Sequence, residues 1–188
     1  MARLHIPFTG PVAKNLNRSS CAKLAQMVLE TASSDWMSQI VRDLGGKIEV
    51  APMGEHEISL EVFGAGDFRI HTSSSSLRRD NFQTAVALGH YLIHFPKIET
   101  DQPGTGMQVP TDVTHPHYPD KQARFEATWF ATELTMPEAK LKAVADEVGP
   151  DYVAPYFLVP QKYLATRMEK LGLLEQMKVS TAGPAPTP

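Results

Sequence analysis

Two histidines four residues apart, His90 and His94, stand in an apolar segment whose periodicity predicts a helix from about 77 to 95, ending before Pro96. Imidazoles at i and i+4 share one helical face, so the pair can ligate a single zinc ion. Glu126 follows in a second helical segment at about 120–134, where a carboxylate from a neighbouring helix can serve as a third ligand. Just before it, His115 and His117 lie in a proline-rich stretch, 97–119, that reads as a long loop. A metal site built on His90, with His94, Glu126 or a loop histidine, is one use of these residues. The plainer use is a hydrogen bond between His90 and Glu126, with His94 packed at the helix end. That pairing would raise the His90 pKa and make a pH-sensitive polar core.

The residues around these positions carry a resemblance. Phe82, Ala85, Leu88, Gly89, His90, Tyr91, Leu92 and His94 keep the order of a helix reading F-x-x-A-H-E-L-G-H-Y-L-x-H. Glu126, Ala127, Phe130, Ala131, Leu134 and Met136-Pro137 resemble a second segment, E-A-x-x-F-A-x-x-L-L-M-P, and Phe157 to Gly172 a closing one. Over about residues 60–174 the chain is similar to the ImmA/IrrE-type zinc metallopeptidases. The resemblance places Val86 at the first His of HExxH, Ala87 at its Glu, His90 at the second His and Glu126 at the third ligand. In such a site two imidazoles hold zinc while the Glu takes a proton from the metal-bound water. Val86 has no donor atom and Ala87 has no base, so no catalytic residue is assigned.

What the resemblance implies is therefore a regulatory setting rather than an activity. Peptidases of this type cleave helix-turn-helix repressors of mobile elements, prophages or stress regulons. The leading expectation is a pseudo-peptidase without a cofactor that binds a protein partner, a helix-turn-helix type transcriptional regulator, through the old substrate cleft. His71 and Trp129 are candidate partner contacts, and the strand near 67–72 is where an extended segment would add. The alternative is an active zinc metallopeptidase with a rearranged site that cleaves a repressor.

Positioning these residues calls for an α+β, zincin-like domain with a small antiparallel sheet, a motif helix and a C-terminal helical group. An extended arm (1–18) precedes a single domain (19–175), and a disordered tail (176–188) follows. Ser19 or Ser20 would cap a helix to about Glu30, and a second helix through Met37, Ile40 and Val41 would stop at Gly45-Gly46. Alternation at 47–51, 57–63 and 67–72 predicts three strands in a meander, with Gly64-Ala65-Gly66 as a turn. Helices are expected at 137–148 and 159–173, the first opened by Pro137.

Composition narrows the classes. With 42% hydrophobic and 21% charged residues, a chain of 188 residues can bury a core. A net charge of -3 gives no general attraction to nucleic acid, so direct binding through the polar face of the last helix (Lys162, Arg167, Lys170) is disfavoured. The single cysteine, Cys21, excludes an internal disulfide and reads as a small buried hydrophobe. No apolar run is long enough to span a bilayer, which makes the cytoplasm the expected location.

Overall fold

The computed structural model describes residues 12–50, 57–73, 76–112 and 114–174. Helices α1 (Arg18–Thr31) and α2 (Met37–Asp43) lead to strands β1 (Gly46–Val50), β2 (Ile58–Gly64) and β3 (Asp67–Thr72). A continuous helical rod follows: α3 (Leu77–Gly89), a π-helical turn over His90–His94, and α4 (Phe95–Asp101). Strand β4 (Met107–Pro110) and helices α5 (Lys121–Thr135), α6 (Glu138–Val148) and α7 (Gln161–Lys170) complete an α+β domain. The tail at 176–188 and the first part of the arm lie outside the described residues.

The sheet has the order β1-β3-β2-β4. β2 runs antiparallel to β3 and β4, whereas β1 pairs parallel with β3, Gly46 opposite Phe68 through Val50 opposite Thr72. The sheet is thus mixed rather than a meander, and its fourth strand falls inside the stretch read as a loop. Four residues ending in Pro110 are too few to show alternation, and proline is tolerated there because β4 is an edge. β3 is an interior strand, paired with β1 over Phe68–Thr72 and with β2 over Asp67–Ile70, so 67–72 is not the free sheet edge to which a partner strand would add. Gly66, at φ +72°, closes the β2–β3 turn and donates its N–H to Tyr91 Oη at 2.8 Å, while the Tyr91 ring stacks on Phe68.

Helix α5 is central to the helical layer, flanked by α1 and α3. Its buried residues, Ala123, Glu126, Ala127, Phe130, Ala131 and Leu134, recur at helical spacing and leave one carboxylate on an otherwise apolar stripe. Small side chains let the neighbours come close: a Cβ on Gly89 would stand 2.9 Å from Ala127 Cα. The N-caps are Asn17, accepting from the Ser20 N–H, and Asp120, accepting from the Ala123 N–H; Ser19 and Ser20 are already in the first turn of α1.

The rod does not stop at Pro96. A proline ring inside a helix crowds the carbonyl four residues earlier, here Leu92, and supplies no N–H. The widened turn just before it accommodates that defect, with the Phe95 N–H reaching back five residues to the His90 carbonyl. This local irregularity places both histidines of the sequence pattern.

Candidate functional site

His90, His94 and Glu126 form a buried chain of hydrogen bonds. Nδ1 of His90 lies 3.0 Å from Nδ1 of His94, and Nε2 of His94 lies 2.9 Å from Glu126 Oε2. All three side chains are within 1% of complete burial. The expected His90–Glu126 bond is therefore absent: the π turn sets His94 between them, and His94 rather than His90 holds the carboxylate. Glu126 has further donors. The main-chain N–H of Lys14 reaches Oε2 at 3.1 Å, while Leu16 N–H and Gln122 Nε2 reach Oε1 at 2.8 and 3.2 Å. Asn15, between the two arm donors, adopts φ +56°, and N–H groups at i and i+2 around a left-handed residue make an anion-holding nest.

The protonation pattern follows from this geometry. Burial opposes the Glu126 charge, but hydrogen bonds from His94, Lys14, Gln122 and Leu16 outweigh it and hold its pKa below the ordinary value. An ionised carboxylate only accepts, so His94 Nε2 carries a proton. Burial pushes the His94 pKa down, with Glu126 offsetting this only in part, and the ring is neutral. Its Nδ1 is then a bare acceptor, which His90 must fill with Nδ1–H. Burial and the neighbouring His94 drive the His90 pKa well below 6.5, the opposite of the rise expected from pairing with a carboxylate. His90 is left with a lone pair on Nε2, a buried atom without a protein partner.

His90 lines a cavity of about 720 Å³ bounded by β3, α3, α5 and the segment before α5. Val86 lines it too, while Ala87 is 4% exposed and borders a small adjoining cavity of about 60 Å³. His71 faces the large cavity from β3, with Nε2 3.0 Å from Glu61 Oε2. Trp129 is half-buried, stacked beside Phe125 with ring centroids 6.0 Å apart, and is not in the lining. His115 and His117 are exposed on their loop, next to each other and outside the cavity lining, although the following Tyr118 is part of it. The lining also contains Arg79, which with Arg78 reads from sequence as a solvated helix start or a small basic patch, and Lys121 and Arg124, which the sequence reading did not single out. Lys121 and Arg124 were detectable as an i, i+3 pair sharing one face of the first turn of α5. Nothing local in sequence announced the arm donors, because backbone N–H groups carry no residue signature.

The helix that carries His90, the following long helix that carries Glu126 and a small sheet beside the cavity make up a zincin-like α+β scaffold. The profile of the IrrE N-terminal-like domain, Peptidase_M78, matches residues 42–169, more than half of the chain. The chain belongs to the IrrE N-terminal-like family. No curated protein matches it.

Membership in the IrrE N-terminal-like family raises the question of zinc, and the donors as arranged do not fit the ion. Glu126 and His90 bond to opposite nitrogens of the His94 ring, so the three groups lie in series and do not converge on one point. Among the described residues no three His, Cys, Asp or Glu side chains are grouped to hold a metal. Nor, among those residues, is any helix long and apolar enough to cross a membrane.

Proposed function

We propose that this family member is a pseudo-peptidase that binds a segment of another protein, without cleaving it, in the cavity beside His90. One observation carries the reading: both oxygens of Glu126 are committed to His94, the arm and Gln122 inside the fold. A ligand carboxylate must be free to face the metal, and this one is sealed away from the cavity by its own donors. Val86 and Ala87, at the positions the resemblance gives to the first His and the general base, supply neither an imidazole nor a proton acceptor. The partner segment enters the cavity rather than extending β3, which has no free edge. The regulatory setting of the family makes a helix-turn-helix transcriptional regulator the partner to test first.

The deciding experiment is elemental mass spectrometry of protein purified without chelator and then equilibrated with zinc, paired with a repressor-cleavage assay. The expected result is well under one zinc per chain and no chelator-sensitive hydrolysis. One zinc per chain, lost on His90→Ala and on Glu126→Gln together with cleavage, would instead establish a metallopeptidase with a rearranged site.

A further inference from the structure

The cavity has the opposite electrostatic character from the chain around it. The whole sequence carries a net charge of -3, yet the lining contains Arg79, Lys121 and Arg124 against a single acid, Asp80. None of the three cations has a carboxylate partner within the described residues. Instead, aromatic faces hold two of them. Arg124 Cζ sits 5.6 Å from the Tyr118 ring centroid and Lys121 Nζ 5.7 Å from that of Phe125. Cations held this way keep their charge available to an incoming anion, and a concave site with low-dielectric walls focuses their field.

Two unsatisfied polar atoms sharpen the chemistry. Arg124 Nε–H is buried and has no acceptor, and His90 Nε2 is buried and has no donor. Buried polar atoms are nearly always paired, so each marks a group the occupant must bring. The first calls for an anion or carbonyl oxygen. The second, being a lone pair by the tautomer order fixed from Glu126, calls for an N–H or O–H.

We propose that the cavity is built for an acidic peptide segment, whose carboxylates meet Arg79, Lys121 and Arg124 while one main-chain N–H donates to His90 Nε2; this rests on the protein-binding reading above and names what the cavity recognises. A peptide with acidic side chains offers both complements within a residue or two. A phosphodiester backbone would satisfy the cations but has no N–H for His90.

The test is fluorescence anisotropy on the full chain with three labelled probes: a short Glu-rich peptide, the same peptide with Gln at every Glu, and a single-stranded DNA oligonucleotide of matching charge. The Glu peptide should bind about tenfold or more tightly than the Gln peptide, with a strong salt dependence. Lys121→Gln with Arg124→Gln should remove most of that difference. Arg79→Gln, at an exposed position, should lower it without any packing cost. In ¹⁵N spectra of the free protein, His90 should show a protonated Nδ1 and a bare Nε2, and Nε2 should shift when the Glu peptide binds. Equal binding of the Glu and Gln peptides with the same His90 shift would overturn the acidic preference and leave the cleft reading standing. Preference for the oligonucleotide, or binding by no peptide, would overturn both.

Discussion

Glu126 occupies a site where an unpaired charge would cost several kcal/mol, and the fold surrounds it with donors. Its oxygens accept from His94, from two arm N–H groups and from Gln122, so the carboxylate organises the arm as well as the histidines. The change Glu126→Gln keeps the shape but replaces one acceptor oxygen with an NH₂ donor. At least one hydrogen bond to a charged group is then lost and a donor faces a donor, at a cost of about 2–3 kcal/mol. The loss should appear as a lower urea midpoint. The arm should also loosen, so that trypsin cuts after Lys14 earlier than in the parent protein. An unchanged midpoint and digestion pattern would mean that the arm is held by other contacts. The sequence pointed to the residues of this cluster but not to their order of bonding. Regular α-helical spacing suggested His90 for the carboxylate, and only the π turn makes His94 the intermediary.

Between elements, the decisive contact is the approach of α3 to α5. Gly89 and Ala127 meet where a Cβ on Gly89 would lie 2.9 Å from both Cα and O of Ala127, main-chain atoms that cannot rotate away. In an isolated helix Gly→Ala gains about 1 kcal/mol. Here overpacking, typically 1–3 kcal/mol, opposes it, and relief would require moving α3 and its π turn from α5. We expect Gly89→Ala to destabilise the protein and weaken the His94–Glu126 bond, measured as a lower melting temperature and faster exchange of the His94 Nε2 proton. A higher melting temperature would show that the helices can part freely. Helix positions were legible because buried residues such as Phe130 and Leu134 repeat at helical spacing. The parallel β1–β3 ladder and β4 were not, since register and strand neighbours depend on distant segments and β4 is too short for a pattern. The passage through Pro96 was missed for a related reason: proline usually ends a helix, and a π turn that absorbs it has no sequence sign of its own.

At the scale of the whole molecule, burying two neutral imidazoles beside an ionised carboxylate fixes how the fold responds to acid. His90 and His94 both titrate below their unfolded value of 6.5, chiefly through burial. Between the folded and unfolded values the unfolded chain binds more protons, so a falling pH favours unfolding, by up to about 1.4 kcal/mol per pH unit for each histidine. Glu126 also titrates below its ordinary 4.5, because its hydrogen bonds outweigh burial. Its contribution is present above that value and is lost as pH falls through the lower folded one. The two effects have the same sign but separate windows. Stability should decline first as pH drops below about 6.5, and a second decline should begin below about 4.5. Urea midpoints at constant ionic strength, taken from about pH 7.5 downward, would trace both stages. Replacing His90 with Phe, a neutral ring of similar size, should make the first stage shallower, with His94 still contributing, and leave the second. A midpoint that stays level between about pH 7.5 and 5.5 would mean that the histidines accept protons as readily inside the fold as outside it.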